Sequence, residues 1–229
     1  MDRTLALPDA TALADLQTYL GRADRVERAS VRLVADHGVL AVYAAILHPA
    51  GLLDETPTVL DLRTVAVDPG LSLDAVVPIA SLTERLRRAA ETPRDAEAPV
   101  RVGLPAEVAT VTWAGVAPPR GGWHGVDRTV GELLLDEARD GAAEVARVLP
   151  ADAGEALVRR VRSEVWGRPI ETLEHVPRGA AFAAQTLGFL SDPAEQIPVY
   201  ETGPWTRLSM RRGHVLVKRR AWSLLAPGA

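Results

Sequence analysis

The stretch VRLVADHGVLAVYAAIL, residues 31–47, decides the fold of the first part of the chain. Apolar residues alternate along its first half up to a DHG sequence, which suits a two-residue hairpin turn. This turn would place Ala35 opposite Leu40 and Leu33 opposite Val42, so that apolar side chains share one face. The second half is apolar on both faces. It therefore predicts a central strand of an antiparallel sheet.

Further elements are predicted on either side of this hairpin. They are a strand at residues 4–7, a helix from the N-cap Asp9 to Gly21, a strand at residues 58–67, and a helix opened by a capping box at residues 81–84. The first lobe is then a helix-backed antiparallel sheet with the element order βαβββα.

A polar segment, residues 91–99, is the predicted boundary between two domains. It is bracketed by Pro93 and Pro99 and shows no periodicity. We therefore predict a first domain at residues 1–92 and a second domain at residues 99–229.

The second domain combines extended, loop and helical patterns. It begins with extended runs at residues 100–102 and 108–113 and a Gly/Pro/Trp loop up to residue 124. Three helices follow: the first at residues 130–149, the second from a cap at residues 152–155 to Gly167, and the third at residues 178–190. A hairpin at residues 205–210 and 215–219 ends the domain. The predicted fold class is α+β: an N-terminal helix-backed antiparallel sheet lobe packed on a C-terminal lobe of short strands, three helices and a terminal β-hairpin.

The composition excludes several classes of chemistry. The 229 residues include no cysteine, which excludes disulfides, thiol nucleophiles and thiolate metal sites. Lys218 is the only lysine, so Schiff-base chemistry is restricted to that position. The longest apolar run, residues 39–47, is far shorter than the roughly 20 residues that span a bilayer. Because no secretory signal is recognisable either, we expect a cytoplasmic protein without a membrane segment.

Positive charge is concentrated near the C-terminus. From residue 205 onward there are six cations and no acid, so the rest of the chain, at a total of −4, carries −10. The apolar pattern of the terminal hairpin pairs Met210 with Val215 and Leu208 with Val217. That register places Arg207 opposite Lys218, and Trp205 opposite Arg220, on the other face. Like charges across a strand pair are unfavourable, so we expect an anion nearby.

The source of this anion is left open: it could be phosphate, nucleic acid or the protein's own carboxylates. A helical region followed by a hairpin also occurs in winged-helix proteins, whose hairpin contacts DNA, although the acidic body disfavours phosphate. The internal alternative is an acidic stripe on the first helix of the second lobe, formed by Glu132, Asp136, Asp140 and Glu144. This stripe is more typical of a solvated helix face than of a metal site, because no Glu-x-x-His pair accompanies it.

The loop between Trp113 and His124 is the second candidate region. Aromatic and arginine side chains are common anchors of protein recognition, although tryptophans can also plug a seam between lobes. The candidate partner-binding residues of the loop and the hairpin are Trp113, Arg120, Trp123, His124, Arg207, Arg211, Lys218 and Arg220.

No contiguous catalytic or cofactor motif is present. The five histidines lack metal-ligand spacing, and no nucleophile elbow or phosphate-binding glycine loop occurs. We therefore predict no cofactor, no metal and no catalytic residue. The alternative of an enzyme whose site is built from distant residues stays open. It would require a pocket that gathers His124 with carboxylates such as Asp127.

Three segments carry a resemblance to known sequences. Residues 113–123, 205–209 and 212–217 resemble uncharacterised actinobacterial proteins of similar length. The resemblance implies membership of a family of unknown function, without an activity, cofactor or site residue.

These observations favour a non-enzymatic cytoplasmic interaction or regulatory protein with an unknown protein partner. The alternatives are a nucleic-acid-binding protein that uses the basic C-terminal hairpin, and an enzyme with a non-local active site. A homo-oligomer is compatible with the sequence as well.

Overall fold

The computed structural model describes residues 3–26, 30–51, 53–93, 95–109, 111–150 and 152–219. The helices of these ranges are α1 (Ala10–Val26), α2 (Ile79–Glu91), α3 (Gly131–Val148), α4 (Glu155–Trp166) and α5 (Arg178–Thr186). The strands are β1 (Thr4–Leu7), β2 (Ser30–Asp36), β3 (Val39–Leu47), β4 (Thr58–Ala66), β5 (Leu73–Pro78), β6 (Val100–Gly103), β7 (His124–Val130), β8 (Pro169–Ile170), β9 (Leu173–Pro177), β10 (Gln196–Thr202), β11 (Trp205–Met210) and β12 (Gly213–Lys218). The predicted α+β class is confirmed.

The chain forms two compact units. Unit 1 comprises Met1–Ala44 and Leu62–Val116, and unit 2 comprises Ala45–Asp61 and Ala117–Ala229. Strands β3 and β4 therefore contribute residues to both units. The proposed domain boundary between residues 92 and 99 remains a prediction.

The hairpin that opens the sequence analysis forms in the predicted register. Ala35 pairs with Leu40 and Leu33 with Val42. His37 and Gly38 have φ angles of 49° and 81°, which is the left-handed pair that a tight hairpin turn requires. The strand pair buries the apolar face that the alternation predicted.

Unit 1 contains a strand that the predicted βαβββα order lacks. Strand β5 pairs antiparallel with the outer side of β2 and buries Leu73, Ala75 and Val77. The alternation is present in the sequence, but the strand ends at Pro78 and passes directly into α2. The predicted capping box was wrong, because α2 begins at Ile79 with Pro78 as its N-cap and no side-chain cap.

The two extended runs predicted at residues 100–102 and 108–113 differ in outcome. Strand β6 pairs with β1 inside unit 1, with Leu5 opposite Val102. The run at 108–113 forms no strand in its described part. Instead, the Val108 amide donates to the Val76 carbonyl at 2.9 Å, and residues Thr112–Gly115 form a 3₁₀ turn. Both segments are apolar because they cover the core of unit 1.

The predicted N-cap of α1 is confirmed, because the Ala12 amide donates to Asp9 Oδ1 at 2.7 Å. Helix α1 itself continues past its predicted end at Gly21 to Val26. Helix α5 buries five of its nine residues and ends at Thr186, four residues before its predicted end. Gly188, at φ 70°, terminates it, and the Phe189 amide donates to the Ala184 carbonyl at 2.9 Å.

The sheet of unit 2 runs in the order β12-β11-β10-β7, with antiparallel neighbours. Its predicted hairpin register was wrong by two residues: Met210 pairs with Gly213, and Leu208 with Val215. A Cβ on Gly213 would lie 2.5 Å from the Phe189 ring. Because the buried Phe189 ring leaves no room for a side chain, position 213 accommodates only glycine. The strand pairing therefore continues to Gly213, and the turn consists of residues 211 and 212.

Candidate functional site

Trp113, the first of the predicted contact residues, is buried in unit 1. Its side chain is 5% exposed and lies in the 3₁₀ turn. The neighbouring Ala114 carbonyl accepts a 2.8 Å hydrogen bond from Arg32, which also binds Asp74. Trp113 thus packs in a core, and its indole offers little surface to a partner.

The loop that leads into β7 holds Trp123 in a fixed position. Gly122 has a φ of 77°, and a Cβ there would meet Thr202 Oγ1 at 3.3 Å. The indole Nε1–H of Trp123 donates to the Pro119 carbonyl at 3.1 Å. Arg120 and His124, which flank this turn, are exposed.

Trp123 and Tyr200 hold the guanidinium of Arg207, an arrangement we call the arginine sandwich. The guanidinium lies 4.5 Å from the Trp123 ring centroid and 4.8 Å from that of Tyr200. Strand register produces it, since Tyr200 stands directly opposite Arg207 in the β10–β11 pair. Contacts of this kind stabilise a cation electrostatically.

Arg207 has an unusual environment for an arginine. Its Nε is buried without a hydrogen-bond acceptor among the described residues, and burial lowers the pKa of Arg207 from its ordinary value. Leu216, and not Lys218, stands opposite it on β12. The predicted like-charge pair of Arg207 and Lys218 was therefore wrong, and so was the pair of Trp205 and Arg220, because Trp205 pairs with Lys218.

His214 accompanies the arginine sandwich on β12. Its Nδ1 lies 3.0 Å from Ser209 Oγ, its direct partner across the strand pair. Burial, and secondarily the positive charge of Arg207, lower the pKa of His214 from its ordinary value of 6.5. The imidazole is consequently neutral at pH 7.

The remaining predicted residues are spread along the hairpin. Arg211 is exposed in the turn, where its backbone amide donates to Glu195 Oε1 at 2.8 Å. Lys218 ends β12, and Arg220 lies outside the described residues.

A cavity of about 550 Å³, which we call the cleft, opens in unit 2. Its apolar walls include four prolines and a valine: Pro57, Pro169, Pro177, Pro204 and Val217. Its polar side chains are His175, Lys218 and Arg219. Two lining residues have left-handed backbones, His175 at φ 63° and Gly203 at φ 51°.

The two cations of the cleft differ in their electrostatic state. Arg219 lies 3.3 Å from Glu201 and also donates to the Gly203 carbonyl. Lys218 forms no ion pair with any carboxylate in the described part of the chain. The cleft thus combines apolar walls with an ammonium group that has no carboxylate partner among the described residues.

Of the acidic stripe on α3, Glu144 pairs with an arginine from another part of unit 2, as does Glu137 beside the stripe, while Glu132, Asp136 and Asp140 are exposed. Glu144 accepts from Arg168 at 2.7 Å, and Glu137 pairs with Arg178 at 2.7 Å. Arg219, at the end of the hairpin, pairs with Glu201 and not with this stripe. Within the ranges the structure describes, no three His, Cys, Asp or Glu residues are grouped to hold a metal ion.

His124 and Asp127, the residues named for a non-local active site, are exposed on β7. Neither lines the cleft. Helices of the length and apolarity needed to cross a membrane are absent from the described ranges.

Sequence reasoning missed the cleft. Its walls come from four separate segments, and its prolines carry no periodic signal. Tyr200 was missed as well, although its place opposite Arg207 follows once the β10–β11 turn at Gly203 is recognised.

The two halves of the chain match two family models. Residues 1–106 match the domain of unknown function DUF8010, and residues 118–222 match the domain of unknown function DUF8185. None of the curated proteins matches this sequence.

Several solved structures are similar in fold. A putative DNA polymerase III beta subunit from Eubacterium rectale has a TM-score of 0.53 at 8% identity, covering 97% of this chain and 66% of its own. The Caulobacter crescentus pol III beta has a TM-score of 0.50 at 14% identity, and the match covers 94% of this chain and 65% of that protein. A Bartonella birtlesii sliding clamp bound to griselimycin has a TM-score of 0.50 at 11% identity, and the match covers 99% of this chain and 67% of that protein. This chain thus spans about 65–67% of the length of those proteins, and it resembles the sliding clamps in fold alone.

Proposed function

We propose that this chain is a non-enzymatic interaction protein that binds a short segment of a protein partner in the cleft of unit 2. The observation that carries the proposal is the cleft itself, at about 550 Å³. Ligand sites are usually concave and largely apolar, with a few polar groups that fix orientation. A pocket walled by prolines loses little freedom when a ligand binds, which favours affinity.

The lining also defines the chemistry of the segment. Pro57, Pro169 and Val217 suit an apolar side chain, and the ammonium of Lys218 suits a carboxylate beside it. The proposed segment is therefore an apolar residue next to an acidic residue. Arg120, Trp123, His124, Arg207 and Arg211, none of which lines the cleft, remain proposed contact residues for a protein partner.

The fold likeness is consistent with a ligand-binding role. One protein of similar fold has been crystallised with griselimycin bound. This likeness supports the proposal only at the level of the fold, because the identity is 11%.

The proposal predicts that a charge reversal in the cleft abolishes peptide binding. Peptides selected from a random display library against the whole chain should bind at least tenfold more weakly to Lys218→Glu, which corresponds to about 1.4 kcal/mol. Fluorescence polarisation of labelled peptides measures this. Pro169→Trp, at an exposed wall residue, should obstruct the cleft without changing its charge.

The matched control is Arg147→Glu, which makes the same charge change at an exposed position of α3 away from the cleft. It should leave the affinity within twofold. Selected peptides that bind both cleft variants as tightly as the unmodified chain would contradict the proposal.

A nucleic-acid-binding function has one specific observation in its favour, the fold likeness to DNA polymerase subunits. Charge opposes it, because Glu132, Asp136 and Asp140 are exposed on α3. It therefore stands as the second candidate.

A further inference from the structure

Arg207 is a half-buried cation without a counterion in the described part of the chain. Other arginines of unit 2 are paired: Arg159 with Glu155, Arg160 with Glu164, and Arg178 with Glu137. No such pair forms at Arg207, whose recorded contacts are the two aromatic rings. A desolvated charge without a partner is costly for a folded protein. Its presence indicates that the partner comes from another molecule.

The arginine sandwich prepares the guanidinium for such a partner. An arginine has five N–H donors in a planar fork, and the Nε–H of Arg207 is buried. The donors left to reach a ligand are those of the two terminal nitrogens. Because Trp123 and Tyr200 restrict the side chain, little conformational entropy remains to be lost on binding.

The local charge selects the type of anion. Leu216, which stands opposite Arg207, is flanked on β12 by His214 and Lys218. His214 is neutral at pH 7 and is engaged with Ser209, while Lys218 lines the cleft. Between the two aromatic rings the site therefore offers a single cation, Arg207. A planar carboxylate, with one negative charge and two oxygens at fork spacing, matches it better than a phosphate dianion does.

We propose that the arginine sandwich is a receptor for a single carboxylate, supplied by an aspartate or glutamate side chain of a protein partner. This site goes beyond the cleft, since it depends on Trp123, Tyr200 and Arg207, none of which lines the cleft. Its test uses small probes that do not need the cleft.

The direct measurement is NMR of the arginine Nε–Hε resonances of the whole chain during titration with N-acetyl-aspartate amide. We expect one resonance, assigned to Arg207 by its loss in Arg207→Gln, to shift in a saturable way with a millimolar dissociation constant. N-acetyl-asparagine amide, which has the same shape without the charge, should cause no saturable shift. Pro169→Trp, which obstructs the cleft without changing its charge, should leave the titration within twofold, which separates this site from the cleft.

Two further arms define the chemistry. Inorganic phosphate should bind at least threefold more weakly than the aspartate probe at pH 7. Trp123→Ala should weaken the aspartate probe several-fold, because the guanidinium loses one of its two rings. Equal shifts with sodium chloride at matched ionic strength, or tighter binding of phosphate, would overturn the proposal.

A structural role for Arg207 predicts a different result. If the side chain mainly stabilised the fold, Arg207→Met would lower the thermal midpoint of unfolding. We expect Arg207→Met to keep or raise that midpoint while the aspartate-induced shifts of the backbone amides around residue 207 disappear. A lowered midpoint with those shifts retained would refute the assignment.

Discussion

The imidazole of His214 links the protonation state of unit 2 to its stability. Its pKa in the folded chain is lowered, first by burial and second by Arg207. The unfolded chain therefore binds the proton more readily than the folded chain. The free energy of unfolding consequently rises with pH between the folded and the unfolded pKa of His214. The contribution is fully present above about pH 6.5, the ordinary histidine value, and is lost as the pH falls from there through the folded pKa.

We expect the free energy of unfolding to fall more steeply below pH 6.5 in the unmodified chain than in His214→Gln. The difference is measured by urea unfolding in a series of buffers of approximately constant composition between pH 7.5 and pH 5. In Arg207→Gln the NMR-detected pKa of His214 should move upward, because one of its two causes is removed. Identical pH profiles for the unmodified chain and His214→Gln would exclude this role.

Single residues were predictable where local chemistry decides their place. His37 and Gly38 were recognisable as turn residues, and Asp9 as a cap, because their hydrogen bonds are local. The burial of Trp113 and the aromatic contacts of Arg207 were not, since both depend on residues far away in the sequence. The sequence shows which side chains can stack, but it does not show which of them meet.

At the scale of elements, Gly141 determines how closely α3 approaches α4. A Cβ at this position would lie 2.3 Å from Cζ3 of Trp166, whose ring stacks on Phe182 at 4.4 Å. Trp166 is 3% exposed and belongs to a cluster with Val161 and Val165. The indole therefore has little freedom to move aside.

We expect Gly141→Ala to destabilise the chain by about 1–3 kcal/mol, because the added methyl group would clash with Trp166. This loss is expected although alanine is more favourable than glycine inside a helix by about 1 kcal/mol. Urea unfolding followed by circular dichroism measures it. In a Trp166→Leu background the same substitution should become neutral or stabilising, because the clash is gone.

Ala142→Gly, on the exposed side of the same helix, is the control for helix propensity and should cost about 1 kcal/mol. If Gly141→Ala stabilised the unmodified chain, the close packing of α3 against Trp166 would be disproved.

Element type was easier to predict than register. Apolar periodicity placed α3, α4, the β2–β3 hairpin and the start of α1 correctly, because it reflects burial of one face. The register of the β11–β12 hairpin failed, since two turn lengths bury equally apolar faces. Contact between Gly213 and Phe189 decides between them, and Phe189 lies on a different element.

At the scale of the whole molecule, the distribution of charge bears on nucleic-acid binding. The chain has 26 cations and 30 acids, and many described arginines are held by carboxylates. We expect the Kd for a random-sequence 20-base-pair duplex to be weaker than about 100 µM at 50 mM salt, at or beyond the weak end of non-specific binding. Electrophoretic mobility shift or fluorescence anisotropy measures this.

A variant with Glu132→Gln, Asp136→Asn and Asp140→Asn tests whether the exposed acids of α3 cause this weak binding. It should bind the duplex more tightly than the unmodified chain, because the exposed acids of α3 are removed. Micromolar binding by the unmodified chain that weakens steeply with salt would instead favour the nucleic-acid candidate.

The α+β class could be predicted from the sequence, whereas the cleft could not. Class follows from local periodicity, but the cleft collects Pro57, the β8–β9 hairpin, the turn at Gly203 and the end of β12. Such convergence depends on tertiary packing, and single-sequence patterns do not record it.

The solitary lysine has a practical consequence. Lys218 is the one side-chain primary amine in 229 residues, and it lines the cleft. An N-hydroxysuccinimide ester therefore has a single side-chain target, and a fluorophore can be attached at this place without introducing any residue. Slower acylation of Lys218 in the presence of a peptide would then report that the peptide occupies the cleft.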